Sequence, residues 1–249
     1  MKIYYWSPFT SKVATIKAVI NSAYGLKKLY KHDTYLLNSF GEWDSYNKLI
    51  KKYNIKKIDN SFKLKSIYWS GFLRSRVAYI IIFIKSFFFL NKILRQNKPD
   101  YLIIHLITSL PIILFLIFNY ETKLVLRVSG LPKLNFFRKI LWSLASDKIS
   151  FVTVPTKQTQ RNLNSKNIFK KKIIYFLPDP ILLSLQKIKK SKNSYGKYIL
   201  NIGRLTKQKN QKLLIISFKK ISLKYKNLKL LILGEGEKLI ELKNLVSKL

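Results

Sequence analysis

Gly203-Arg204-Leu-Thr-Lys-Gln-Lys209 sets an arginine and a lysine on one short turn, and a later turn reads Gly234-Glu235-Gly236. The guanidinium offers paired donors and the ammonium a point charge. Beside an exposed glycine turn and the amides of a helix start, they are expected to form a diphosphate site. The flanking residues supply the frame. Tyr198 to Ile202 is a short apolar run without helical spacing, which predicts a buried strand that Gly203 ends. Apolar residues at Leu213, Leu214, Ile216, Ile221 and Leu223 then predict a helix, and Leu228 to Leu233 a second strand. The result is a βαβ unit with both glycine turns at the carboxyl ends of parallel strands, where open α/β sheets bind ligands.

Earlier residues predict more of the same alternation. Strands are expected at 2–6, 34–38, 101–104, 123–128, 149–154 and 173–177, and helices at 13–30, 136–145 and 157–164. A short helix is expected within Glu42 to Ile58 and another strand at Ser61 to Tyr68. Tyr101 to Phe118 has the length of a membrane span but contains His105, Thr108, Ser109 and Pro111, so it reads as strand, turn and a buried helix from about Leu110. The pattern predicts a doubly wound, mostly parallel sheet covered on both faces. Ser184 to Gly196 is polar, basic and aperiodic, the composition of a linker. The organisation expected is therefore residues 1–183 as one domain, a linker at 184–196, and the start of a second domain at 197–249.

Composition bounds the function classes. The chain has 249 residues, 48% hydrophobic and 14% aromatic, enough for a sizeable core. It has no cysteine, which excludes disulfides and thiolate metal sites. Met1 to Pro8 lacks the apolar core of a signal peptide, and a cytoplasmic protein is expected. Lys and Arg number 48 against 11 acidic residues, a net charge of +37. Such a surface is drawn to polyanions, either nucleic acid or anionic lipid headgroups. No zinc spacing, RNP aromatic signature or helix-turn-helix pattern accompanies the charge, which makes nucleic acid the weaker partner.

The run Asn201-Ile-Gly203-Arg204-Leu-x-x-x-Lys209-Asn210, followed by a strand ending in Gly234-Glu235-Gly236, resembles the donor half of retaining family-4 glycosyltransferases of the GT-B fold. The resemblance implies two Rossmann-like doubly wound α/β domains, the second incomplete. It implies a nucleotide-sugar donor whose diphosphate meets Gly203, Arg204 and Lys209, with Gly234, Glu235 and Gly236 as a donor-side loop. It also implies that the leaving phosphate takes the acceptor proton, so that neither a metal nor another cofactor is required.

Pro99-Asp100-Tyr-Leu-Ile-Ile-His105 resembles the family strand that ends in a histidine near the reacting sugar, although the second histidine that relatives carry is Ile103 here. Two roles stay open for His105: a catalytic group on the acceptor side, or a core histidine satisfied by backbone. Family architecture puts the acceptor at the loops after the first domain's strands, where Ser7, Thr10, Ser11, Lys12, Arg127, Ser129 and Gly130 are candidates. Lys12 and Arg127 could meet an acidic group or stand as plain surface cations. A lipid-linked glycan or saccharide acceptor at an anionic membrane face is expected, with a role in lipopolysaccharide, O-antigen or capsule assembly. The family's paired-glutamate motif finds no match, since Glu235, Glu237 and Glu241 have the wrong spacing. A C-terminally truncated enzyme is therefore expected, with an inactive fragment and a basic nucleic-acid-binding protein as the alternatives.

Overall fold

A computed structural model describes residues 1–9, 13–61, 72–132, 134–169, 172–181 and 196–249. The chain divides into two compact units, Met1–Leu183 and Ser184–Leu249. In the first, β1 (Lys2–Trp6), α1 (Ala14–Tyr30), β2 (Asp33–Asn38), α2 (Asn47–Lys52), β3 (Lys56–Asp59) and α3 (Phe72–Asn97) come first. They are followed by β4 (Tyr101–Ile104), α4 (Ser109–Ile117), β5 (Lys123–Arg127), α5 (Phe136–Leu144), β6 (Ile149–Val154), α6 (Lys157–Ser165) and β7 (Ile174–Phe176). The seven strands form one parallel sheet in the order β3-β2-β1-β4-β5-β6-β7.

Alternate residues of the strands face opposite layers. Tyr4, Trp6, Leu102, Ile104, Leu124 and Leu126 pack with Leu90 and Leu94 of α3, Leu110 and Leu114 of α4, Trp142 of α5 and Leu163 of α6. Ile3, Tyr5 and Leu36 pack the other way, on Ile16, Val19, Ile20 and Ala23 of α1 and on Trp43 and Ile50. This is the doubly wound arrangement, and the strand order reverses between β1 and β4, the switch point where such sheets open a crevice. The apolar run from Tyr101 folds as strand then helix. Pro111 is tolerated because it lies in the first turn of α4, where an amide has no intrahelical partner. No helix among the described residues is long and apolar enough to cross a membrane.

The short helix expected within Glu42 to Ile58 is α2, preceded by a 3-10 turn (Asp44–Tyr46), and the end of that stretch is a strand, β3, that its residues did not predict. Pairing with β2 overrides the weak strand preference of Lys56-Lys57-Ile58-Asp59, and Lys57 bridges Asp44 at 2.6 Å and Asp59 at 3.1 Å. The strand expected at 61–68 falls outside the described residues from position 62 onward, as does the linker through position 195.

The second unit holds β8 (Tyr198–Ile202), a 3-10 turn (Lys207–Lys209), α7 (Gln211–Lys224), β9 (Lys229–Leu233) and α8 (Leu239–Ser247). Strands β8 and β9 pair in parallel, and the core is Leu205, Ile215 and Leu242. The buried strand expected at 198–202 is a strand but is not buried: Tyr198, Ile199, Leu200 and Ile202 are all exposed, because a two-stranded sheet with few helices leaves its apolar residues uncovered.

Candidate functional site

In the second unit, the two glycine turns brace one another. The Gly203 amide donates to the Leu233 carbonyl at 3.0 Å, the Leu205 amide to Glu235 at 2.8 Å, and the Lys238 amide to Leu205 at 3.1 Å. The approach is too close for side chains. A Cβ on Gly234 would stand 1.8 Å from the Gly203 carbonyl oxygen, and one on Gly236 (φ +155°) 2.4 Å from the Leu205 oxygen. Below the turn, the buried Gln211 donates from Nε2 to the Arg204 carbonyl at 3.0 Å. Asn210, in the left-handed conformation at φ 51°, leads into α7. Asparagine adopts that region at little cost.

The backbone of the turn is thus fixed from three sides while its cations are left to solvent. Arg204 and Lys209 are exposed, and neither makes an ion pair among the described residues. Glu235 is exposed on the adjoining turn. Gln211 is the residue the sequence reading missed. A glutamine at a helix start carries no chemical signature, and its value lies only in the carbonyl it reaches.

In the first unit, the candidates gather at the carboxyl edge of neighbouring strands. Ser7 follows β1, His105 follows β4, and Ser129 and Gly130 follow β5. The His105 amide donates to the Trp6 carbonyl at 2.8 Å, tying the ends of β1 and β4 together. Ser7 Oγ, His105 Nδ1 and Ser129 Oγ are buried and have no hydrogen-bond partner among the described residues. Backbone therefore holds the His105 main chain but does not satisfy Nδ1 of its ring. Burial drives the imidazole down to about 3, with the Arg127 charge adding to the shift, so the ring is neutral at ordinary pH.

Arg127 is not a surface cation. It is buried, and its guanidinium donates to the Leu177 carbonyl and to Asp179 Oδ1, both at 2.6 Å. That fixes the end of β5 to the segment after β7. Thr10, Ser11 and Lys12 lie outside the described residues. Beside this edge is a cavity of about 560 Å³, lined by Pro8, Phe9, Ile107, Thr108, Arg138 and Trp142 among others. Phe9 closes one side by meeting Trp43 edge-on at 5.0 Å. Close by, Glu42 accepts from the Ser39 and Phe40 amides at 3.0 and 2.9 Å, and burial nonetheless pushes its carboxyl up to about 7.

Comparison with known proteins adds to this geometry. Residues 184–249 match the family described as glycosyl transferases group 1. An uncharacterized glycosyltransferase of Methanocaldococcus jannaschii is 34% identical over 184 residues, covering 64% of this chain and 45% of that protein. The chain thus spans less than half the length of that curated relative. Among solved structures, Anabaena HepE in complex with UDP-glucose aligns over 100% of this chain and 66% of its own at a TM-score of 0.65 and 13% identity. The lipopolysaccharide outer core galactosyltransferase WaaB in its apo form aligns over 100% and 65% at 0.64 and 12%. At such identities these likenesses establish the fold. The chain is accordingly an α/β protein with GT-B structural neighbours, similar in residues 184–249 to group 1 glycosyl transferases.

Proposed function

We propose that this chain serves transfer of a sugar from a nucleoside-diphosphate sugar to a saccharide or lipid-linked acceptor, with retention at the anomeric carbon. The observation that carries the reading is the pair of exposed cations, Arg204 and Lys209, without an ion pair among the described residues, on a glycine-braced turn within the stretch that matches group 1 glycosyl transferases. As the glycosidic bond breaks, negative charge gathers on the departing diphosphate. Cations held there in advance lower the barrier because they meet more charge in the transition state than in the ground state. Arg204 supplies a two-pronged contact and Lys209 a single charge. No metal is needed for this step in the reading, and the departing phosphate oxygen accepts the acceptor's proton.

On the acceptor side, the reading uses the edge formed by Ser7, His105 and Ser129. Ser7 Oγ, His105 Nδ1 and Ser129 Oγ are enclosed by protein, so a sugar would meet the adjoining cavity, where Thr108 and Arg138 offer polar groups to its hydroxyls. The net charge of +37 supports work at an anionic membrane face, peripheral and cytoplasmic. The relative described as a lipopolysaccharide galactosyltransferase supports a place in cell-surface polysaccharide assembly. The test is incubation of the full chain with a panel of UDP-, GDP- and CMP-sugars, following released nucleotide and the anomeric proton coupling of any product. Released nucleoside diphosphate and a product with the donor's anomeric configuration are expected. No release from any donor, together with salt-sensitive binding of nucleic acid, would overturn the reading in favour of a nucleic-acid-binding protein.

A further inference from the structure

Helix α5 is apolar on two sides. Leu141, Trp142 and Ala145 turn inward: Trp142 and Ala145 are part of the core and Leu141 packs against it. Phe136, Phe137, Ile140 and Leu144 form a second stripe, within about 100° of arc at helical spacing, and are 71, 80, 42 and 65% exposed. Leu131, in the preceding loop, is also 61% exposed. Lys139 is exposed beside it, and Arg138 lies 5.9 Å from the Trp142 ring. Two phenylalanines set side by side on a nine-residue helix, uncovered by any described residue, are a costly surface to leave in water.

We infer that this outer stripe of α5 is the surface by which the protein docks on an anionic lipid bilayer, with Phe136 and Phe137 inserted among the acyl chains and Lys139 at the headgroups. Charge decides the occupant. A second copy of this chain brings another +37 to the contact, whereas an anionic leaflet complements it. Aromatic and aliphatic residues in one stripe with cations at its border are also the pattern of helices that lie in a membrane interface. Phe137, Arg138, Leu141 and Trp142 line the cavity beside the carboxyl edge of the first sheet as well, so the same helix borders both the lipid surface and that cavity. A lipid-linked saccharide would then reach the cavity without leaving the bilayer. This inference rests on the membrane part of the proposed function and is independent of the transfer chemistry.

The experiment is sedimentation of the full chain with vesicles of phosphatidylglycerol and phosphatidylethanolamine, and with pure phosphatidylcholine, in the absence of any nucleotide-sugar. Binding to the anionic vesicles is expected, weakened at least tenfold in Phe136→Ser/Phe137→Ser, on the scale of about tenfold for each buried phenylalanine. Lys139→Glu keeps the apolar stripe and should weaken anionic binding alone. Leu223→Ser, which alters an exposed leucine of α7, should bind as the wild type. Equal binding by the double variant overturns the assignment to α5, and no binding by the wild type overturns the membrane reading with it. A concentration-dependent dimer that the double variant abolishes would show a second copy as the occupant instead. A melt of each variant with nucleoside diphosphate, run in parallel, keeps failure here separate from failure of the donor reading.

Discussion

Gly234→Ala probes the brace that holds the cationic turn. The added methyl would stand 1.8 Å from the Gly203 carbonyl oxygen, where ordinary contact begins near 3.4 Å. Since both atoms belong to backbone, no side chain can step aside, and the turns must part by about 1.6 Å, as those contact distances require. The bonds from the Gly203 amide to Leu233 and from the Leu205 amide to Glu235, now 3.0 and 2.8 Å, then pass beyond hydrogen-bonding range. At about 1 kcal/mol each, with further loss where Leu205 leaves the core, the variant costs the second unit about 2–3 kcal/mol. Hydrogen exchange reads this directly: amides of Gly203, Leu205 and Lys238 should exchange about 30- to 150-fold faster. The His105 and Val128 amides in the first unit should keep their protection. Gly130→Ala is the control, because a Cβ there meets nothing within 4 Å. Wild-type exchange in Gly234→Ala, or equal damage from Gly130→Ala, would refute the brace.

Two further predictions concern the first unit. Burial raises Glu42 to about 7, above its unfolded value of 4.5, so its contribution is complete below pH 4.5 and is lost as pH rises through about 7. Compared with Glu42→Gln by urea unfolding across that window, the wild type should lose about 3 kcal/mol relative to the variant; parallel curves would show that the carboxyl is not buried as described. Asp179→Ala leaves the buried Arg127 guanidinium with the Leu177 carbonyl alone, and should lower the urea midpoint by the equivalent of about 1–3 kcal/mol, the range kept low by the partial exposure of Asp179. An unchanged midpoint would mean that the pair contributes nothing to holding the end of β5.

Local pattern carried much of the fold into view. The apolar runs at 2–6, 101–104, 123–127 and 149–154 are strands because a sheet covered on both faces asks for apolar residues at successive positions. The helices expected at 136–145 and 157–164 begin where predicted, and the structure adds a cap to each: Asn135 accepts from the Arg138 amide, and Thr156 from that of Thr159. Strand β3 was not legible, because its residues become a strand only through β2. The fate of Arg127 was hidden for the same reason, since its partner lies 52 residues away. At the candidate site, Gly203, Arg204, Lys209 and the second glycine turn could be picked out from spacing. That Gly234 must lack a side chain because of Gly203, and that Gln211 holds the Arg204 carbonyl, depended on contacts between segments that spacing does not encode.

The central claim is that Arg204 and Lys209 receive a diphosphate, and calorimetric titration of UDP and GDP into the full chain tests it. Arg204 is exposed and makes no ion pair among the described residues, so Arg204→Ala should leave stability within about 0.5 kcal/mol of wild type. Loss of a charge-assisted contact worth about 1.5–3 kcal/mol should nonetheless weaken nucleotide binding about 10- to 150-fold, with Lys209→Ala following in the same direction. Equal affinity in wild type and Arg204→Ala, or no nucleoside diphosphate bound by the wild type, would contradict the account.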